Sequence, residues 1–576
     1  MSSIDLEWRN YLLHRGIIEG QSEAKKRDDI LTILRSLIPS FVRLSVKENN
    51  TKPSDFECQL LPFGSFALGG HLYDGDIDVV LLAPHSVRRR DFSTFFTKLL
   101  KNQPIIREVE CIPRANVPII KCVIDSIPID ISFVRLHMTS VPAGIDLLDD
   151  SHIRGLEGSC LASTDGPRVG QFILTHIHPH DLPAFRLALQ SIKYWANKRY
   201  LYGKPMGYLN GGSWTLLLLK VYFIQQAQSS SSSSSSSSSF SAAAAPATTK
   251  RNASLKYHTQ IPSTRQSHSS HDKSSPSPTT PSTSPTSISP TASTSSITPT
   301  PTRATPLFSD DQKISCISLL KLFFRTWSTW SWPNAVIVNK HMLTITSQTT
   351  NDTNTSNDMD CLKSSLLPIA TPCDPVTSAA PFVTQSTLSV LTNEMQRAHN
   401  ILQSEITDTT QTIMDKLFKP LHIVKAYKHF IKVTVSCQTI GSHEIWSRRM
   451  PTYLPRLVGL LEVVREVKLA RPLTKSYTDI VSYRTRYEKE RLKNGLQVND
   501  SDTHGSLLPG TLYRRCFLIG LDFDDYHKKG NTVVDVSDAI KSFYKEIQAK
   551  KCSRDSDVHV YISAIKRREA ASLIQN

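Results

Sequence analysis

The chain has 576 residues, 67 Lys+Arg against 51 Asp+Glu for a net charge of +16, and 39% hydrophobic residues. Its ten cysteines are scattered, with no Cys-x-x-Cys pair and no paired Cys/His spacing, which argues against a zinc module or a disulfide framework and for a reducing compartment. Met1–Asn50 has no apolar signal-peptide core, and the longest apolar run, Trp214–Ile224, is too short for a membrane span and carries Lys220, so the chain reads as a soluble, intracellular, basic protein of several domains.

In chain order, Ile30, Leu31, Ile33, Leu34, Leu37 and Ile38 recur with a helical period and predict one helix over Asp28–Val42. From Glu57 to Val134 the pattern shortens to β-rich runs. Ile77–Leu82 is a predicted strand, and Val117–Ile124 with Ile127–Val134 forms a predicted hairpin around Asp125-Ser126. Helix returns at Asp181, a predicted N-cap, with Pro183 in the first turn and a stripe of Phe185, Ala188, Leu189, Ile192, Trp195 and Ala196. Trp214–Ile224 continues helical. Residues 228–306 are dominated by Ser, Thr, Pro and Ala, and cannot bury enough apolar area to offset chain entropy, so this stretch is expected to be a disordered insertion. Helix resumes at Ile317–Leu320, Trp327, Trp330 and Trp332 read as packing residues, and Ser347–Asp358 reads as a loop. Beyond residue 403, strands at Val433–Cys437, Phe517–Phe523 and Val558–Ala564 and a helix at Ser537–Ile547, N-capped by Ser537, fit a small α+β domain of the RNA-recognition kind.

The charge is uneven. Residues 401–576 hold 29 Lys+Arg against 20 Asp+Glu, so over half of the excess lies in less than a third of the chain. Aromatic residues interleave with it at Lys425–Phe430, Tyr483–Tyr487 and Tyr513–Arg515, the footprint expected of single-stranded nucleic-acid binding.

The most informative stretch is Leu61-Pro62-Phe63-Gly64-Ser65-Phe66, followed by Asp74-Gly75-Asp76-Ile77-Asp78-Val79-Val80. Strand side chains alternate with period two, so Asp76 and Asp78 project from one face while Ile77 and Val79 point into a core. Two adjacent carboxylates repel unless a cation lies between them, and oxygen ligands favour Mg²⁺ or Mn²⁺ over zinc. Asp130, between Ile129 and Ile131 in the predicted hairpin, is a third acid that is costly there unless paired or metal-bound. Three carboxylates on adjacent strands can hold two metals about 3.5–4 Å apart, the arrangement for in-line nucleotidyl transfer. Gly64 permits close backbone approach and the Ser65 hydroxyl can donate to a phosphate oxygen.

With these residues the sequence resembles the eukaryotic nuclear-type poly(A) polymerases of the DNA polymerase β-like nucleotidyltransferase superfamily. The resemblance extends through Val117-Pro118-Ile119-Ile120-Lys121, Phe185-Arg186-Leu187, Ile192-Lys193-Tyr194-Trp195-Ala196, Gly211-Gly212-Ser213-Trp214, Trp332-Pro333-Asn334 and Tyr427-Lys428-His429, in order along the chain. It implies an α+β multidomain fold. N-terminal helices (1–50) would pack with the middle domain, a nucleotidyltransferase palm with a mixed β-sheet would span 51–140, and a helical middle domain 141–402 would be interrupted by 228–306. An RNA-recognition-like, RNA-binding domain would span 403–576.

The resemblance further implies template-independent addition of AMP from ATP to RNA 3′ ends, with two Mg²⁺ or Mn²⁺ ions on Asp76, Asp78 and Asp130. Phe63, Gly64, Ser65, Lys193, Tyr202, Gly211 and Gly212 would form the ATP site, and Tyr427, Lys428 and His429 would contact RNA. Cleavage-and-polyadenylation factors as partners, a monomer, no membrane association and a nuclear location follow from the same resemblance. The sequence departs from the family pattern at Asp165 and Asn197, each at a family Asn or Lys position, at Leu72, and at Asn210-Gly211-Gly212 in place of Gly-Gly-Val. These changes bear on adenine selectivity and triphosphate affinity. Two other readings are a uridylyl- or CCA-adding enzyme and a non-catalytic RNA-binding scaffold.

Overall fold

The computed structural model describes residues 2–49, 57–113, 117–235, 314–339, 360–404, 409–496, 498, 506–523 and 533–575. The Ser/Thr/Pro tract beyond residue 235 and the loop read over Ser347–Asp358 lie outside the described residues.

The N-terminal apolar period resolves into two helices rather than one, α2 (Gln21–Ser36) and α3 (Ile38–Asn49), preceded by α1 (Ser3–His14). The chain turns at Leu37, just before Pro39, whose missing N–H suits the first turn of a new helix. The three helices also part company in packing, which corrects the expectation that all of them join the middle domain. α1 does so: the Asp5 carboxylate accepts from the Cys316 N–H at 2.9 Å and the Trp8 indole donates to Ser191 Oγ at 2.8 Å. Ile30, Leu31, Leu34 and Phe41 of α2 and α3 instead bury themselves against the palm sheet, because their apolar faces meet Ile77, Val79, Ile129 and Ile131.

That sheet has the order β1-β2-β5-β4-β3, with β1 (Gln59–Phe63), β2 (Ile77–Ala83), β3 (Ile106–Ile112), β4 (Ile119–Ile124) and β5 (Ile127–Arg135). Between β1 and β2 lies the short α4 (Gly64–Leu68), and short helical turns including α5 (Arg89–Asp91) and α6 (Thr97–Lys101) link β2 to β3. Asp125 and Ser126 have φ of 49° and 66°, so the predicted hairpin closes through two left-handed residues, the twist a two-residue β-turn prefers. β2 and β5 run parallel and the other pairs antiparallel.

The middle region is built from α7 (Gly158–His176), α8 (Leu182–Lys198), α9 (Gly211–Ser235), α10 (Cys316–Thr329), the short α11 (Asp360–Lys363), α12 (Gln385–Gln403) and α13 (Thr410–Leu417). Trp195, Trp214, Phe323, Phe324 and Trp327 form its aromatic centre, and Trp330 and Trp332 pack against it, as read from the sequence. Asp181 sits before α8 but does not cap it. Its carboxylate is buried and turned to Tyr222, whose hydroxyl donates to Oδ2 at 3.0 Å, while Oδ1 lies 3.1 Å from His180 Nε2 without a hydrogen bond.

After the short α14 (Ile423–Ala426), the C-terminal part follows the path β6 (His429–Cys437), α15 (Ile440–Glu462), β7 (Val467–Pro472), β8 (Tyr477–Thr485), α16 (Arg486–Lys493), β9 (Leu507–Phe523), α17 (Ser537–Lys550), β10 (His559–Lys566) and α18 (Arg567–Gln575). Its sheet order is β10-β6-β9-β7, with β8 paired to β9, and α15 and α17 cover one face. With β8 and α16 set aside as an insertion between β7 and β9, the remaining β6-α15-β7-β9-α17-β10 is the βαββαβ arrangement expected of an RNA-recognition-like domain. Ser537 is the first helical residue of α17 rather than its cap, since its N–H is taken by the Asp535 carboxylate at 2.8 Å. No helix among the described residues is long and apolar enough to cross a membrane.

Candidate active site

Three neighbouring strands line up the charged groups by register alone. Asp78 of β2 lies beside Asp130 of β5, and Asp130 lies opposite Lys121 of β4. Ile77, Val79, Ile129 and Ile131 face the palm core, so alternation turns Asp78 and Asp130 to the opposite face. Asp76 joins them from the residue pair just ahead of β2. One carboxylate oxygen from each of Asp76, Asp78 and Asp130 lies within 4.8 Å of the others. Asp78 pays electrostatically for this position: burial first, then Asp76 and Asp130, push its carboxyl up to about 7. Convergent hard oxygens with mutual repulsion are the donor set of a divalent cation, and the group fits Mg²⁺ or Mn²⁺ chemistry.

Lys121, which the sequence reading gave no role, supplies the positive charge already present. Its Nζ lies 2.7 and 2.6 Å from the two Asp130 oxygens. Counting outward from the Asp125-Ser126 turn puts Lys121 opposite Asp130, so this pairing could have been found from the sequence.

Beside the acids lies a cavity of about 410 Å³, lined by Asp76, Asp78 and every residue anticipated for the ATP site: Phe63, Gly64, Ser65, Lys193, Tyr202, Gly211 and Gly212. Gly64 opens α4 with φ +67°, and a Cβ there would stand 2.5 Å from Asp78 Oδ2. Lys193 is no snorkelling surface lysine. It is 4% exposed, donates from Nζ to the Gly70 carbonyl at 2.8 Å, and burial pulls its ammonium down to about 8 against the opposing pull of Asp76 and Asp78. Burial, with Asp76 next, pushes the Tyr202 phenol up to about 12, so it stays a neutral hydroxyl. A Cβ on Gly211 would strike that hydroxyl at 2.7 Å, whereas one on Gly212 meets only Asn210 Oδ1 at 3.6 Å. The close approach therefore belongs to Gly211. Asn210 itself starts α9, its Oδ1 accepting from the Ser213 N–H at 3.0 Å and hydroxyl at 2.8 Å.

The departures at Asp165 and Asn197 separate. Asp165 lines the cavity together with Lys204, a cation that sequence reasoning missed. Burial raises the Asp165 carboxyl and lowers the Lys204 ammonium, and each partly offsets the other's shift. Asn197 turns back to the Lys193 carbonyl at 3.1 Å, and Lys198 lies over the Tyr194 ring at 5.0 Å, so Lys198 does not replace the missing family lysine in the cavity.

The proposed RNA contacts fare unevenly. Tyr427 is buried, packed so closely on β9 that a Cβ at Gly520 would lie 2.7 Å from its ring. It closes α14 and belongs to a core with Phe430, Leu518 and Ile565, so it has no free face for a base, a correction to its reading as an RNA contact. Lys428 and His429 are exposed. Of the other interleaved stretches, Tyr483 is buried, and Arg514 is paired with Asp479, at 3.0 Å from its Nε.

Family models match along nearly the whole described chain: the poly(A) polymerase nucleotidyltransferase domain over residues 7–177, the poly(A) polymerase central domain over 184–235 and 312–420, and the poly(A) polymerase predicted RNA binding domain over 424–574. The chain belongs to the poly(A) polymerase family. Among curated relatives, the poly(A) polymerase PAPalpha of Candida albicans is 25% identical over 81% of this chain and 68% of its own length. Poly(A) polymerase pla1 of Schizosaccharomyces pombe is 22% identical over 87% of this chain and 74% of its own. A poly(A) polymerase of Dictyostelium discoideum is 33% identical over 38% of this chain and 28% of its own. A solved structure of the Cid1 poly(U) polymerase is also similar, with a TM-score of 0.39 and 16% identity over 71% of this chain and 97% of that one. Family membership accounts for the order of the parts described above: a palm carrying the acids, a helical centre and a terminal RNA-recognition-like sheet.

Proposed function

We propose that this protein lengthens RNA 3′ ends by template-independent transfer of AMP from ATP, releasing pyrophosphate. The observation that carries the reading is the convergence of Asp76, Asp78 and Asp130 beside a nucleotide-sized cavity that the first two help to line. Two divalent cations, Mg²⁺ or Mn²⁺, held by these carboxylates would lower the pKa of the RNA 3′-hydroxyl and neutralise charge on the triphosphate. The chain's own groups do the rest. Asp130, directed by Lys121, accepts the hydroxyl proton or orients the hydroxyl toward the α-phosphorus. Ser65 and the Gly64 backbone approach the phosphates, Lys193 adds a fixed positive charge behind them, and Tyr202 donates a neutral hydroxyl at the pinch formed with Gly211. Middle-region residues Asp165, Lys204, Asn210 and Thr377–Ala379 wall the cavity opposite the palm, and would help exclude water that would otherwise hydrolyse ATP.

The basic C-terminal sheet would hold the RNA body through Lys428, His429 and their neighbours. Action as a monomer in the nucleus, alongside cleavage-and-polyadenylation factors, belongs to the same reading. Its test is incubation of a short RNA with each of the four ribonucleoside triphosphates and Mg²⁺ or Mn²⁺, with Asp76→Ala and Asp130→Ala as controls. Extension by ATP, lost in both variants with RNA binding retained, is expected. Preferential extension by UTP or CTP would point to another tailing enzyme, and RNA binding without extension by any nucleotide to a scaffold.

A further inference from the structure

Asp78 and Asp130 are fixed by strand register, but Asp76 is not. The ladder between β2 and β5 begins at Ile77 with Ile129, one residue too late to hold it. The stretch from Leu68 to Asp76 must therefore be held by other means, and it is tied from two sides. From α8, Arg186 Nε donates to Leu68 O at 2.6 Å, Lys193 Nζ to Gly70 O at 2.8 Å and Gln190 Nε2 to His71 O at 3.1 Å. From the N-terminal segment, Ile17 O accepts from the Tyr73 N–H at 2.9 Å, and Glu19 lies 3.0 Å from His71 Nε2. Arg27 of α2 completes this second tie, donating from Nη2 to Gly75 O at 2.8 Å, the carbonyl of the peptide bond to Asp76.

Arg27 is an expensive residue for this place. It is 1% exposed, and its Nε faces both oxygens of the buried Glu19 carboxylate at 2.8 and 3.0 Å. A buried ion pair of this kind is a poor source of net stability compared with apolar packing, because desolvation consumes most of the attraction. What it does supply is direction. A planar guanidinium locked on Glu19 aims its remaining N–H groups in fixed directions, and one of them meets Gly75 O.

We propose that Arg27, oriented by Glu19 and His71, is a positioning residue that fixes the Gly75–Asp76 peptide and so sets Asp76 in place with Asp78 and Asp130 to grip a divalent cation. The α1–α2 segment thereby becomes part of the metal site without touching it. The inference rests on the reading of the three acids as a cation site.

The test uses the full-length protein and reads Mn²⁺ binding by electron paramagnetic resonance, with no nucleotide or RNA present, alongside kcat and KM for ATP and RNA. Arg27→Met is expected to weaken Mn²⁺ binding at least tenfold and to lower kcat by a similar factor, leaving KM for RNA within twofold. Added metal should recover part of the lost rate, and Glu19→Gln should shift binding in the same direction by less. Should Arg27→Met fail to fold, Arg27→Lys carries the test, because lysine keeps the charge but cannot span Glu19 and Gly75 together. A folded variant that loses thermal stability yet binds Mn²⁺ and turns over like the wild type would overturn the proposal. Because metal binding is read without substrates, the result stands apart from RNA extension, whose absence in the wild type would count against the proposed activity alone.

Discussion

Gly64→Ala separates backbone strain from damage to the site. Gly64 has φ +67°, a region that costs an L-residue about 1–2 kcal/mol. Gly144 has φ +73° with nothing within 4 Å of its Cβ position, so Gly144→Ala carries the same backbone cost and no collision. At Gly64 the new methyl would stand 2.5 Å from Asp78 Oδ2, against 3.4 Å for an ordinary contact, so the carboxylate must retreat by about 0.9 Å. A misplacement of about 1 Å at a reacting centre can cost about 100-fold in rate. Gly144→Ala should therefore lose about 1–2 kcal/mol in denaturant unfolding, the backbone term alone, and Gly64→Ala that amount plus the cost of displacing Asp78. In ATP-dependent RNA extension, Gly64→Ala should lose about 100-fold in kcat, and Gly144→Ala should match the wild type. Equal activity of the two variants would refute the reasoning.

Lys121→Met removes the only cation that touches Asp130 among the described residues, in a pair that is 40% and 24% exposed. The metal-free protein should lose less than about 1 kcal/mol, as for partly exposed pairs, while the Mn²⁺ titration midpoint should move to lower concentration because the acids repel more strongly before metal arrives. With the Asp78 carboxyl at about 7 in the metal-free protein, it holds a proton below that pH and must release it to bind metal. Apparent metal affinity, read by calorimetry, should fall as pH drops from 8 to 6, approaching about tenfold per unit below 7, and level off above it. Glu394 receives Arg199 at 2.9 and 2.8 Å and lies 3.7 Å from Arg471, joining α12 and the end of α8 to β7. Glu394→Ala leaves both buried guanidinium groups without their acid and should cost about 3–5 kcal/mol in unfolding.

The palm was the most legible part because its signals are local. Alternation in Ile77–Leu82 and the tight Asp125-Ser126 turn set strand faces and register, and register is what brings Asp78, Asp130 and Lys121 into a row. Where the reading failed, the missing information was a partner. Helical period in α2 and α3 reveals an apolar face but not that it meets the palm sheet. Asp181 has the right residue type and place for a cap, yet the Tyr222 hydroxyl from a helix forty residues on claims it. Tyr427 sits in a basic, aromatic stretch that looks like an RNA surface, and only the folded sheet shows its ring under Gly520. Lys204 and Arg27 were silent for the same reason: lysines and arginines are usually solvated, and nothing in their neighbours' sequence marks one as facing a cavity or buried against a loop.

The central claim is that Asp76, Asp78 and Asp130 together grip divalent cations. It is tested most directly by anomalous diffraction from crystals of the protein with Mn²⁺ and a non-hydrolysable ATP analogue. Peaks within coordination distance of all three carboxylates, with the analogue's phosphates beside Ser65 and Lys193, are predicted. Mn²⁺ peaks that leave Asp130 bound only to Lys121, or that appear away from the three acids, would contradict it.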